Sequence, residues 1–367
     1  MAGGEGPMET PHYYVFDLDE TLGQMHTPFA FMCTLRPEEF HKEKNPKFHA
    51  KLIANANTSE LRDRQRVAYM AFVRLLAEAE QQSPPLGVLR PGILEVFRAI
   101  QAQRAAGQDV CCVIYSNNGD LHLLELTRDV LHQALGTRDL IRDCVHWFHP
   151  MRSPEISPGE PGRAEKTWAV LSRVLKEGPC GAPDVRPSQV TFFDDRVHPD
   201  LKTTLGEESI QVLPFSYRVN TSVLTELYRK ALEEAGFFSS PAATMQLLEY
   251  IKRNCGTVNT KKPLTFENHE QFILKHTGLT APPEKAPPAR LADTDALVAV
   301  IKRHDRPVNL GNLGNNPLSA VGSNVFTGGS GSGSGNGKGR LVRRRIVTRR
   351  KRSKHVAKKS RHIRRRR

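Results

Sequence analysis

Asp17 and Asp19 stand one residue apart in the run Asp17-Leu18-Asp19-Glu20-Thr21-Leu22, directly after the apolar stretch Tyr13-Tyr14-Val15-Phe16. One carboxylate can attack phosphorus while the other handles protons, two jobs that need separate groups. A strand period of two places both on one face. In open α/β sheets, ligands bind beyond the carboxyl ends of the strands. An acidic, capped turn uses the same residue types, so the pair gains meaning only from its partners downstream.

Three further groups supply candidates. Ser116-Asn117-Asn118-Gly119 follows the apolar run Val110–Tyr115. A small hydroxyl residue and tight-turn residues there can offer Oγ and N–H groups to a phosphate; alone, this is an ordinary strand-to-helix turn. Lys166 stands at the start of the helical pattern Glu165-Lys166-Thr167-Trp168. The helix dipole does not favour a cation there, so an anion facing it is one reading and a solvated lysine the other. Asp194 and Asp195 follow Val190–Phe193. Hard oxygen ligands clustered in this way suit Mg²⁺.

These groups need strands to hold them. Residues 13–16, 110–115, 144–148, 190–193 and 210–213 read as strands, apolar without alternation, as expected of a parallel sheet covered on both faces. Ile93, Val96, Phe97 and Ile100 recur at helical spacing, as do Trp168, Leu171, Val174 and Leu175. The alternation implies a doubly wound α/β domain. About 65 residues separate the first motif from Arg90, too long for a loop. Within them residues 59–82 carry one apolar stripe, read as a lid over the site or as a helix on the flank.

The order of these motifs resembles the haloacid dehalogenase (HAD) superfamily. Asp17–Leu22 together with Leu89-Arg90-Pro91-Gly92 is similar to the branch of protein phosphatases that act on the RNA polymerase II C-terminal domain, and to their small relatives. Phe192-Phe193-Asp194-Asp195-Arg196 is similar to the fourth motif of magnesium-dependent phosphatases in the same superfamily. The second motif departs from the branch in reading Tyr115-Ser116-Asn117-Asn118. The resemblance spans residues 13 to about 215. It implies a HAD-like Rossmannoid parallel sheet with a helical cap-like insertion at 36–88, and a phosphomonoesterase acting on phosphoserine or phosphothreonine in protein. It implies Asp17 as the nucleophile, Asp19 as acid and base, and Ser116, Asn117 and Lys166 as phosphate-binding groups. Asp17, Asp194, Asp195 and the Asp19 carbonyl would hold Mg²⁺.

The resulting organisation is a leader at 1–11, the phosphatase domain at 12–235, accessory helices at 236–280, a Pro/Gly/Ser-rich linker at 281–339 and a basic tail at 340–367. The net charge of +14 belongs to the tail: residues 338–367 hold 17 Lys and Arg and no acid. The remainder has 36 basic against 39 acidic residues, a net of −3. Such a tail cannot pack and is expected to be disordered. It attracts DNA or RNA through counterion release and reads as a nuclear or nucleolar address; anionic membrane is a third partner for it. A polynucleotide end phosphatase, and a nucleic-acid-binding protein with a degenerate phosphatase domain, are the alternative functions. No apolar run reaches the ~20 residues of a membrane span, and the leader has no secretory pattern. Six cysteines show no CxxC pair. Cys111 and Cys112 read as buried free thiols, and a reducing intracellular compartment is expected.

Overall fold

Five parallel strands form the centre of the molecule in the order β3-β2-β1-β4-β5. The structure is a computed structural model. It describes residues 11–35, 59–155, 166–182, 184–217, 219–254, 265–268, 270–271, 287–288 and 290–304. The strands are β1 (His12–Phe16), β2 (Val110–Tyr115), β3 (Ile141–Val145), β4 (Val190–Asp194) and β5 (Ser209–Gln211). Alternate side chains of β1 enter two separate cores. Tyr13 and Val15 join Cys111, Val113 and Phe192 on one face, and Tyr14 and Phe16 join Cys112, Ile114 and Phe193 on the other. Both faces are covered, which is why the strands are apolar throughout.

The helices are α1 (His26–Leu35), α2 (Ser59–Glu80), α3 (Ile93–Ala105), α4 (Leu121–Leu135), α5 (Trp168–Glu177), α6 (Pro199–Leu205), α7 (Thr221–Glu234), α8 (Pro241–Asn254) and α9 (Thr294–Arg303). Helices α5 and α6 cover the first face through Val170, Leu171, Val174, Leu201 and Leu205. The chain runs β1, β2, β3 to one side of the sheet and returns to β4 on the other side of β1. The direction reverses between β1 and β4, and ligands gather at such a switch point.

Several expectations are corrected. β3 begins at Ile141, not residue 144. As an edge strand it admits Arg142, which is exposed, and Asp143 between buried positions, and these charges hid it. Helix α2 packs against α4 and α7, and none of its residues lines the cavity described below. It is a flank helix whose Phe72 and Leu76 enter the main core; residues 36–58 lie outside the described residues. Helix α8 falls where a further helix is expected at 241–253, and its Leu247, Leu248 and Ile251 belong to that same core.

The expected linker contains α9, which packs on α3. Leu297 and Ile301 are buried, and the Ile301 carbonyl accepts from Gln103 Nε2 at 2.7 Å. Gly92, which precedes α3, has φ +87°, and a Cβ there would stand 2.3 Å from Thr294 Oγ1. The close approach of α9 therefore requires glycine at this position. Cys111 is not a free thiol: it is bonded to Cys180, 69 residues on, in the loop after α5. Cys112 and Cys144 are free and buried. No helix among the described residues is long and apolar enough to cross a membrane. The basic tail, the Gly/Ser stretch before it and the leader through Thr10 lie outside the described residues.

Candidate active site

Register alone sets the first two acids side by side. Phe16 of β1 pairs with Phe193 of β4, so the next residues, Asp17 and Asp194, leave adjacent strand ends together. The Asp17 N–H donates to the Phe193 carbonyl at 2.8 Å. The strand stops at Phe16. Leu18 is fully buried between the two carboxylates. The chain then turns through Glu20, which has φ +62°, a left-handed conformation uncommon outside glycine. The Glu20 carbonyl is held by Phe215 N–H at 2.9 Å and by Arg90 Nη1 at 3.4 Å. Arg90 is itself buried and ion-paired with Asp293, the residue before α9.

A cavity of about 390 Å³ opens at these strand ends. Asp17, Asp19, Ser116, Asn117, Lys166, Asp194 and Asp195 all line it, with Glu20, Asn118, Gly119, Arg196 and His198. The seven candidate site residues are therefore in one crevice: Asp17 and Asp19 after β1, Ser116 and Asn117 after β2, Asp194 and Asp195 at the end of β4, and Lys166 ahead of α5. Lys166 stands two residues before α5, outside it, with Thr167 in extended conformation between them. Its charge thus avoids the first helical turn, where the dipole opposes a cation.

Lys166 is 1% exposed and donates to Asp17 Oδ1 at 2.5 Å and Asp194 Oδ2 at 2.7 Å. Tyr115 and Phe192 lie beside it, ring centroids 5.6 and 5.3 Å from Nζ. One cation serves two acids in a water-poor setting. Burial raises the Asp17 carboxyl well above the usual range. Lys166 opposes that rise, and Asp194 adds to it. Burial also acts on Asp194, but Lys166 and the His198 hydrogen bond outweigh it and hold that carboxyl below the usual range. The first proton therefore goes to Asp17 and the standing charge stays on Asp194.

His198 ties the lysine to the acid. Its Nδ1 accepts from the Lys166 N–H at 3.2 Å, so the ring proton sits on Nε2, which donates to Asp194 Oδ2 at 3.1 Å. The other Asp194 oxygen accepts from Arg196 N–H at 2.8 Å. Asp195 is positioned by Thr21, whose Oγ1 accepts from the Asp195 N–H at 3.0 Å and faces Oδ1 at 3.5 Å. Burial, Asp194 and Glu20 raise the Asp195 carboxyl.

Asp17, Asp194 and Asp195 each offer an oxygen within 4.8 Å of the others. Three close carboxylates with one lysine leave uncompensated negative charge, and the donors are hard oxygens. That set fits a small divalent cation such as Mg²⁺. The Asp19 side chain is not one of the three. It accepts from Asn118 Nδ2 at 3.2 Å and pairs with His26 Nε2 at 3.1 Å. That hydrogen bond raises the His26 ring above its ordinary value, against the effect of burial.

The Ser116 loop is built to donate. Ser116 Oγ accepts from the Asn118 N–H at 3.1 Å, which leaves its own proton for a ligand. Arg152, fully buried, donates to the Ser116 carbonyl and, at 2.5 Å, to Asn117 Oδ1. Its guanidinium lies 4.4 Å from the Tyr115 ring centroid. A buried cation directly behind a donor loop favours an anion in front of it. Sequence reasoning missed Arg152, Asn118, His26 and His198. Arg152 and His26 carry no local signal. In the sequence Asn118 reads only as a turn residue. His198, four residues after Asp194 and just before Pro199, was open to a reading that followed the acidic motif one turn further.

Comparison with protein-family models and with curated protein sequences gives no match. The chemical reading therefore rests on the crevice itself.

Proposed function

We propose that this protein is a Mg²⁺-dependent phosphomonoesterase that works through an aspartyl-phosphate on Asp17. The observation that carries the reading is Lys166 held between Asp17 and Asp194 in one crevice that Ser116 also lines. A carboxylate attacks a phosphate dianion only if positive charge offsets the repulsion, and Lys166 supplies it beside the attacking group.

In the first step an Asp17 oxygen forms a bond to phosphorus, and the bond from phosphorus to the ester oxygen breaks. Asp19 gives its proton to the departing oxygen. In the second step Asp19 takes a proton from water, whose oxygen attacks phosphorus. The Asp17–phosphorus bond breaks and inorganic phosphate leaves. Asn118 and His26 hold Asp19 apart from the Lys166 cluster, which suits a group that must gain and lose a proton while Asp17 reacts. Ser116 and Asn117, braced by Arg152, receive the phosphoryl oxygens. Asp17, Asp194, Asp195 and the Asp19 carbonyl would hold Mg²⁺, whose part is Lewis-acid stabilisation of charge on those oxygens.

The likeness of Asp17–Leu22 and Leu89–Gly92 to the polymerase-tail phosphatases points to phosphoserine or phosphothreonine in protein as one substrate class, and a polynucleotide end is the alternative. The basic segment 340–367 favours a nucleic-acid partner and a nuclear address. A nucleic-acid-binding protein with a degenerate phosphatase domain is the weaker reading, since Asp17, Asp19, Lys166 and Asp194 all line one cavity. Phosphate release from 4-nitrophenyl phosphate, with Mg²⁺ or with EDTA, tests the proposal. Turnover that survives EDTA, or is equal in wild type and Asp17→Asn, refutes it.

A further inference from the structure

The segment after β3 forms one rim of the crevice. The Trp147 N–H donates to the Asn118 carbonyl at 2.8 Å, and Arg152 holds Ser116 and Asn117. Trp147 and Arg152 are both buried, yet Phe148 between them is 59% exposed. Its ring lies on Gly119, which lines the cavity; a Cβ on Gly119 would stand 2.9 Å from Phe148 Cε2. Anchors on both sides hold this ring at the rim. The same mouth carries Arg196, which lines the cavity, is exposed, and has no ion-pair partner among the described residues. Val197 beside it is 53% exposed. A crevice lined mostly by polar groups thus opens past a flat apolar face and an uncommitted cation.

We infer that this mouth binds a polynucleotide end, with the terminal base stacked on Phe148 and the adjoining phosphodiester against Arg196. The inference rests on the phosphomonoesterase reading and names its substrate class. A phosphoserine or phosphothreonine side chain brings neither a flat face nor an obligatory second anion, whereas a nucleotide end brings both in its covalent structure. Base stacking on an aromatic side chain tolerates any base, and the basic segment 340–367 attracts the same polyanion.

The test compares thymidine 5′-monophosphate with 1,2-dideoxyribose 5-phosphate, which has hydrogen in place of the base, on the full-length protein with Mg²⁺. The two differ only by the base, so the basic tail acts on both alike. Parallel 3′-phosphate arms show which end is used. Wild type should favour the base-bearing ester by about tenfold in kcat/KM, and Phe148→Ala should bring that ratio near unity. A thymidine dinucleotide with a terminal phosphate should gain further, and Arg196→Gln should remove that gain. An unchanged ratio in Phe148→Ala overturns the inference. So does a phosphoserine peptide turned over faster than every nucleotide. If wild type releases phosphate from nothing, 4-nitrophenyl phosphate included, the hydrolase reading has failed instead. Equilibrium binding of the same two ligands then reads the subsite directly, and equal affinities refute it.

Discussion

Lys166 Nζ donates to Asp17 Oδ1 at 2.5 Å across 149 residues of sequence. The same amine serves Asp194, so its removal leaves two buried acids without their cation. Lys166→Gln should cost about 3–5 kcal/mol of stability, the usual effect of breaking a buried pair. It should also lower turnover by at least about a hundredfold. Chemical denaturation and phosphate-release kinetics read the two effects separately. A variant as stable and as active as wild type would remove Lys166 from the mechanism.

Asp17→Asn should abolish turnover of any phosphomonoester while phosphate affinity is kept or improved. The amide cannot attack phosphorus at a useful rate, and the change removes one negative charge facing the dianion. Calorimetric titration with inorganic phosphate checks binding. Loss of both binding and turnover would point to collapse of the site and not to loss of a nucleophile.

Mg²⁺ should raise the melting temperature, because the three acids repel one another and a bound cation relieves them. At a hundred times its dissociation constant the gain is about 2.7 kcal/mol. Asp194→Asn and Asp195→Asn should shrink the shift. The same shift in Asp194→Asn as in wild type would place the cation elsewhere.

Glu80 ends α2, accepts from the Val88 N–H at 2.8 Å, and is buried. Burial raises its carboxyl to about 7, against the pull of the neighbouring N–H groups. Between about pH 4.5 and 7 the folded state therefore holds a proton that the unfolded chain has released, and stability falls as pH rises through that window. The loss is on the order of 3 kcal/mol. Glu80→Gln should flatten the profile. Denaturation midpoints at pH 4.5 and 7.5 in both proteins measure the difference, and parallel profiles would contradict the assignment.

Asp293 holds the buried Arg90, which in turn reaches the Glu20 carbonyl of the Asp17–Leu22 turn and the Leu213 carbonyl. Asp293→Ala should destabilise the domain by about 3–5 kcal/mol, and ending the chain after residue 280 should do the same. Ending it after residue 327 should leave stability and hydrolysis of a small ester unchanged. It should also abolish the steep salt dependence of duplex binding. A duplex salt titration of both lengths checks this; equal slopes would mean that the tail is not the anchor.

The alternation of strands and helices, and the presence of four separated groups suited to phosphoryl chemistry, were legible in the residues. Short apolar runs such as Val110–Tyr115 read as strands covered on both faces, and the acids directly after Phe16 and Phe193 then fall at strand ends. Local pattern carries that much because side-chain period and burial are local properties. The contacts between distant segments were not legible. The placing of Arg152 behind Ser116, the pairing of Cys111 with Cys180, the docking of α9 on α3 inside a stretch that reads as linker, and the flank position of α2 each join residues at least 30 apart in sequence. Such partners are selected by the shape of the assembled sheet and its covering layers. Composition marks a segment as apolar or flexible, but only packing decides which surface it meets.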